Sequence, residues 1–357
     1  MSHVGDEVIT LAHGEGGRLM RRLIRELIQP IVQPDQPPSH ADAATIRVPP
    51  LRGIQGDQPT SKSQTSGKLL AITTDSFVVS PIEFPGGNIG SLAVHGTVND
   101  LCVSGAVPRY LTMSLIIEEG FPLADLRRIL ESAVVAASES DVKIVAGDTK
   151  VVPRGAVDKI FINTTGVGEV VNPSPSGPAT LSVGDELIVT GSIGKHGIAV
   201  MSAREQLGFQ PPPVSDCASL LPISTCLRET LGSQLKAMRD ATRGGVAAVL
   251  HEWAEDCEHT LAINEEFVPV SLAVRGACEL LGLDALHVAN EGTMVVAVAA
   301  GYGANAITAL HQTSQAPDAA IIGTVTKRAV APVVLNRVLG NQHALDDPHG
   351  APTPRIC

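Results

Sequence analysis

The sequence predicts a mixed α/β (α+β) protein of two domains followed by a polar tail, and three observations carry that expectation. At 357 residues the chain is long for a single hydrophobic core. Apolar runs of strand length alternate with amphipathic stretches of helix length on both sides of a break, Asn172-Pro173-Ser174-Pro175-Ser176-Gly177-Pro178. Aromatic residues make up only 3% of the chain, so the core must be built from Val, Ile, Leu and Ala. The expected divisions are residues 1–172, with 33–67 as a surface insertion, then 173–338, then a mobile tail over 339–357.

In the first division, His13-Gly14-Glu15-Gly16-Gly17 leads into a predicted helix over 18–32. Leu19, Met20, Leu23, Ile24, Leu27, Ile28 and Ile31 share one stripe there, with Arg18, Arg21, Arg22 and Arg25 outside it. Residues 33–67 are rich in Pro, Gln, Ser, Asp and Gly and read as a partly disordered insertion without chemistry. A strand over 69–79 carries Asp75. The turn Pro85-Gly86-Gly87-Asn88 opens a helix over 89–103 that bears His95, Asn99 and Asp100. A strand over 109–118, a helix over 123–138 and a strand over 142–146 follow, the last closed by Gly147-Asp148-Thr149-Lys150. A strand over 158–170 ends the division.

The second division repeats the alternation. A strand over 185–190 and a helix over 197–207 precede a Pro-rich bend at 211–222 and a helix over 224–231. Met238-Arg239-Asp240-Ala241-Thr242-Arg243-Gly244-Gly245 opens a helix over 246–256. A strand over 261–265 and a helix over 272–280 lead to Asn290-Glu291-Gly292-Thr293 and the strand that follows it. A helix over 304–312 and strands over 319–326 and 331–335 finish the fold.

The formal charge of −11, with dispersed basic residues, argues against a nucleic-acid or anionic-membrane surface. No apolar run is long enough to span a bilayer, and residues 1–6 lack the regions of a signal peptide, so the expected location is the cytoplasm. The six cysteines form no C-x-x-C pair and read mainly as buried thiols.

Asp75, Asp100 and Asp148 each stand near the end of a predicted element. Carboxylates so placed converge when those ends meet at one rim of a sheet, and a cluster of them suits a hard cation such as Mg²⁺. Each aspartate alone also reads as a cap or turn residue. A Gly-rich loop that opens a helix can wrap phosphates, and no G-x-x-x-x-G-K-[ST] occurs, so a nucleotide would bind outside the P-loop families. Asp240, Thr242 and Arg243 stand where a helix N-terminus and a guanidinium favour an anion. Glu291, in a Gly-bounded turn, reads as a base or as a plain turn residue. Cys357 follows a polar, Pro/Gly-rich run, so its thiol reads as a carrier on a tether or as part of a frayed end.

Taken together, HGEGG at 13–17, TTDSF at 73–77, VND at 98–100, GDTK at 147–150, RDATRGG at 239–245, NEG at 290–292 and PRIC at 354–357 resemble one family. It is the ATP-binding superfamily of aminoimidazole ribonucleotide synthetase and selenophosphate synthetase, and within it the hydrogenase-maturation carbamoyl dehydratases. Glu15 and Ala241, where proline is usual, depart from the pattern. The resemblance implies a PurM-like architecture, with an N-terminal ATP-binding and dimerisation domain and a C-terminal α/β sandwich. It implies ATP-dependent dehydration of an S-carbamoyl group on Cys357 to a thiocyanate, the source of cyanide for [NiFe]-hydrogenase iron. ATP and Mg²⁺ are the implied cofactors. Asp75, Asp100 and Asp148 would hold the metal. Gly14, Gly16, Gly17, Asn99, Thr149, Asp240, Thr242 and Arg243 would join them around the nucleotide or the tail. Cys357, Glu291 and Lys150 would carry the chemistry. The implied partners are a carbamoyltransferase (HypF), an iron-carrying HypC–HypD scaffold complex and a second copy of the chain. Other superfamily activities remain open at this level, although a selenium enzyme would need a reactive residue near its N-terminus and no cysteine precedes Cys102. A binding module whose tail docks on a partner also remains.

Overall fold

The computed structural model describes residues 17–23, 25–26, 43–47, 68–337 and 340–348. Its first part opens with helix α1 (Gly17–Leu23) and strands β1 (Ala44–Arg47) and β2 (Leu69–Phe77). A short hairpin, β3 (Glu83–Phe84) and β4 (Gly87–Asn88), leads into α2 (Ile89–Val103). Then come β5 (Ala106–Glu118), α3 (Leu123–Glu139), β6 (Lys143–Val152) and β7 (Ile160–Val170). The sheet order is β1-β2-β7-β5-β6, antiparallel except for the parallel pair β5–β6.

The second part contains β8 (Glu186–Val189), α4 (Lys195–Arg204), α5 (Leu221–Leu231), β9 (Leu235–Asp240), α6 (Gly245–Cys257) and β10 (Thr260–Asn264). It continues with α7 (Leu272–Leu281), β11 (Met294–Val298), α8 (Gly303–Leu310), β12 (Ala320–Thr326), β13 (Val333–Asn336) and β14 (Gln342–Ala344). Here the order is β14-β13-β10-β12-β8-β11-β9. All five residues of β11 are buried because the sheet is covered on both faces. Met294, Val296 and Val298 join one core cluster while Val295 and Ala297 join the other, as the two-residue strand period requires.

Helix α2 joins the two parts. Asn88 caps it, its Oδ1 accepting from the N–H groups of Gly90 (2.8 Å) and Ser91 (3.2 Å) while the Ser91 hydroxyl accepts from Asn88 N–H. Thirteen of its fifteen residues are buried, so it has almost no solvent face. The largest core cluster runs through it, from Phe77, Leu92 and Ile129 on one side to Leu227, Met238 and Val296 on the other.

Four features differ from the sequence expectation. Within 33–67, residues 44–47 form β1 and pair with β2, because Ala-Thr-Ile-Arg extends a sheet edge and Ala43 enters a core cluster with Ala71, Leu101 and Ala106. Arg21, expected on the outer face of α1, is buried beside Glu252, Glu255 and Asp347, with its Nη2 donating to Asp347 Oδ2 at 2.7 Å. Strand β6 does not close at Ala146 but runs on through Gly147-Asp148-Thr149-Lys150 to Val152, paired with β5. The fourth concerns the start of the tail, which is docked. β14 pairs with β13, and Leu345 is buried and donates its N–H to the Val333 carbonyl. The His251 and His287 rings lie within hydrogen-bond distance of the Leu345 and Asp346 carbonyls, at 3.1 and 3.0 Å. Pro348 is buried, and its carbonyl accepts from Arg18 N–H. Nine residues, 349–357, follow the last described one.

Leu345→Ala should lower stability by about 2–5 kcal/mol, the range for a truncated core leucine. It should also speed amide exchange at 342–345. Thermal denaturation with hydrogen exchange reads both, and wild-type protection of these amides in the variant would show that Leu345 does not anchor the segment.

Candidate active site

The candidate site lies where the end of β2, one side of α2, the loop after β9 and the turn before β11 meet. Thr73, Asp75 and Phe77 alternate onto the face of β2 that α2 covers. The Thr73 hydroxyl donates to Asp100 Oδ2 at 2.7 Å, which brings the α2 carboxylate to the strand that carries Asp75. Asp240 ends β9, opposite Met294 at the start of β11, so the RDATRGG loop and the NEG turn are neighbours by strand pairing. Ala241 N–H donates to the Thr293 carbonyl at 3.1 Å, a bond that proline at this position could not make.

Glycines set the approach of the loops. Gly244 and Gly245 have φ of 78° and 61°, and a Cβ on Gly245 would lie 2.5 Å from the Leu286 carbonyl oxygen. They turn the chain so that α6 begins directly behind Thr242 and Arg243. A Cβ on Gly292 would meet the Asp216 carbonyl oxygen at 1.8 Å. The reason is that the segment before α5 straps the NEG turn: the Asp216 carboxylate accepts from Glu291 N–H and Gly292 N–H, both at 3.1 Å.

Charge in this cleft is crowded. Arg243 Nη2 lies 3.8 Å from Asp75 Oδ1 and acts on Asp75, Asp240 and Glu291, while Arg239 acts on Asp240 as well. Burial raises the Asp75 carboxyl above its ordinary range, with Arg243 opposing. Burial also raises Asp240 to about 6, with Asp75 adding to the rise and Arg239 and Arg243 opposing it. Glu291 is only 2% exposed, and burial, reinforced by Asp240, Asp216 and Asp75, pushes its carboxyl well above the usual value. Its Oε1 is buried without a hydrogen-bond partner among the described residues, and its Oε2 faces Gly96 of α2.

These positions revise the expected roles. Asn99 was expected at the cofactor, but its amide donates to the carbonyls of Ala218 and Glu291, both at 3.1 Å, and its Oδ1 accepts from Leu220 N–H at 2.7 Å. It braces the two parts of the protein. The expected metal triad is not assembled: Asp75 and Asp100 open on one face, but Asp148 lies on edge strand β6, three strands from β2. At the usual strand spacing that separation is about 14 Å. Thr149 and Lys150 share that edge. Among the described residues no group of three His, Cys, Asp or Glu is placed to hold a metal ion. Gly17 is the first residue of α1, whereas Gly14, Gly16 and Cys357 lie outside the described residues. Asp216 was missed, because a carboxylate in a Pro-rich bend carries no signal until the bend crosses the NEG turn. Pro348 packs against Gly244, with Cγ 3.5 Å from where a Cβ would stand, so the described chain ends beside this loop.

This arrangement defines a two-domain protein of the AIR synthase related class. The family description "AIR synthase related protein, N-terminal domain" matches residues 42–170 and its C-terminal counterpart matches 182–335. Carbamoyl dehydratase HypE of Escherichia coli (strain K12) is 46% identical over 349 residues, covering 98% of this chain and 99% of that protein. The solved structure of a HypE–HypF complex matches with a TM-score of 0.80 at 41% identity, covering 91% of this chain and 99% of that one. The structure of HypE in complex with ATP matches with a TM-score of 0.77 at 39% identity, covering 98% and 100%. The chain belongs to the HypE family of hydrogenase maturation proteins.

Because folded Glu291 and Asp240 keep protons that the unfolded chain has already released, the folded state binds more protons above the ordinary carboxyl range. Stability contributed at these sites is present at low pH and falls as pH rises from about 4 through the raised values, by at most about 1.4 kcal/mol per pH unit and per site. Glu291→Gln should remove its share, giving a higher Tm than wild type at neutral pH and a flatter fall in stability as pH rises above the ordinary carboxyl range. An unchanged slope in the variant would mean that folded Glu291 is ionised. Gly292→Ala should cost at least about 2 kcal/mol, since the Asp216 strap must move. A wild-type Tm for that variant would remove the strap from the account.

Proposed function

We propose that this chain is an ATP-dependent carbamoyl dehydratase that converts an S-carbamoyl group on Cys357 to S-cyanide for [NiFe]-hydrogenase iron. Membership of the HypE family, whose named relatives are carbamoyl dehydratases, supports the reaction. The observation that carries the reading onto this chain is Pro348 seated on Gly244. The nine residues beyond it reach at most about 30 Å, so the Cys357 sulfur is within range of the acidic cleft of its own chain. The tether is half as long as the tail division first implied, and its root lies at the site.

The chemistry suits the residues. A carbamoyl amide loses oxygen poorly, and transfer of the ATP γ-phosphoryl to that oxygen makes it a leaving group. Positioning and charge neutralisation dominate such transfers. Thr242, Arg243 and the N-terminus of α6 meet the anion, with Gly14, Gly16 and Gly17 closing over it. Asp75 and Asp100 fit Mg²⁺, which takes one or two carboxylates together with phosphate oxygens and supplies charge neutralisation there. Glu291, whose carboxyl burial pushes up, is the base that takes an N–H proton as the phosphate departs. Asp240 keeps its charge state poised beside it. HypF, seen with a relative, is the partner that loads the thiol, and a HypC–HypD complex is the partner that receives the cyanide.

A homodimer completes the scheme. β6 is a ten-residue edge strand, exposed along nearly its whole length, that carries Ile144, Val145 and Val151 beside exposed Tyr110 and Ile116 of β5. An open apolar edge of this kind is normally covered, and a second copy would cover it. Asp148, Thr149 and Lys150 enter the chemistry through that pairing. No helix of the described residues is long and apolar enough to cross a membrane, and the cytoplasm is the proposed location.

Intact mass after incubation with the carbamoyltransferase, carbamoyl phosphate and Mg-ATP tests the reaction. A carbamoyl gain followed by loss of one water is expected for wild type, and no gain for Cys357→Ala. A carbamoyl group that persists while ATP is present would refute the dehydratase reading. Val145→Asp combined with Val151→Asp should shift the protein from dimer to monomer in light scattering, and an unshifted dimer would remove β6 as the interface.

A further inference from the structure

A cavity of about 700 Å³ in the second part of the protein includes none of the candidate site's residues. That volume lies within the range of ligand-binding clefts. Helix α7, the segment before it and the turn 283–286 wall it in. Its floor is apolar: Leu286 and Leu335 belong to the core cluster that buries Leu345, while Val270 and Leu283 are only half-buried. Its rim is net acidic, with four carboxylates against two arginines. Glu265 is paired with Arg337, but exposed Glu266 and Glu279 have no ion pair among the described residues, and neither has Arg275. An occupant must therefore bring a cation next to an apolar group.

The tail passes along the edge of this cavity. Leu335 on the floor pairs with His343 of β14, and Leu345 packs into the same core cluster. The ring of His287, next in the chain to Leu286, lies 3.0 Å from the Asp346 carbonyl. Pro348 stands on Gly244, and neighbouring Gly245 abuts the Leu286 carbonyl. The nine residues after Pro348 reach at most about 30 Å, so their far end has the cavity within range. Among them Arg355 is the only arginine or lysine, and the adjacent Ile356 is the only large aliphatic residue.

We propose that this cavity is a berth for the chain's own tail, with Arg355 between Glu266 and Glu279 and Ile356 on the apolar floor. The carboxylates orient the guanidinium, and Arg275 donates to backbone carbonyls of the docked segment. Pro352 and Pro354 restrict the segment beforehand and so lower its ordering cost. The docking stands apart from the dehydratase reading, whereas its consequence rests on it. While the tail is docked, the Cys357 sulfur is withheld from the acidic cleft and from the partner that loads it.

The test follows alkylation of Cys357 by iodoacetamide in the full chain, with neither ATP nor a carbamoyl donor present. Mass of the digestion peptide that carries Cys357 gives the rate, so the other cysteines do not enter it. The wild-type rate should be about one fifth of that of a synthetic 349–357 peptide, as for a segment docked about four-fifths of the time. Glu266→Lys combined with Glu279→Lys should raise the rate about fivefold, and so should Arg355→Glu alone. All three changes together should bring back the slow rate, because the charges are then reversed on both sides. Loss of fold cannot produce that recovery. A wild-type rate equal to that of the peptide would overturn the berth. A slow rate that the cavity substitutions leave unchanged would also overturn it, as would release without recovery in the triple variant. Each of these failures would leave the dehydratase reading standing, and a carbamoyl group that persists with ATP would leave the berth standing.

Discussion

Burial of α2 between two sheets is the constraint from which the rest of the site follows. A helix with almost no solvent face must satisfy its polar side chains internally, since each unpaired one costs about 1–3 kcal/mol. Asn99 does so by bonding backbone of the second part, and Asp100 does so through Thr73 of the first. These bonds lock the helix in rotation as well as in place. Gly96 is thereby presented to the NEG turn, against Glu291 Oε2.

The same burial explains the charge pattern. Asp75, Asp240, Asp216 and Glu291 are drawn into one region by four separate pieces of chain, and burial among these charges raises the Asp75, Asp240 and Glu291 carboxyls. Such a cluster is unfavourable for folding and useful for chemistry that arrives with a phosphoryl group, a cation and a nitrogen that must lose protons. Arg243, held at the lip by Gly244 and Gly245, moderates the cluster. The docked root of the tail sits on that same lip, so the anchor of the thiol arm and the anion loop share one set of contacts.

Much of this was legible along the chain. The helix that became α2 was read at its observed bounds because Asn88 caps it and Gly86-Gly87 breaks what precedes it, and both are local signals. The strand bearing Asp75 and the Gly-bounded turns that carry Arg243 and Glu291 after apolar stretches were likewise visible, since each is a pattern within a few residues. Sequence alone determined the two-domain α/β order, the candidate acids and the family. It did so because strand and helix periodicity, caps and turns are short-range properties. Only the tertiary structure decided which acids meet. Asp148 reads like Asp75 in sequence, yet strand order puts it three strands away, while Asp216, in an unremarked bend, becomes the brace of Glu291. Asn99 looked like a ligand and is a bridge, and the polar tail looked free to residue 339 yet is held to Pro348 by Leu345, His251 and Arg21. Those outcomes depend on which distant surfaces must be buried together, and no local pattern carries that information.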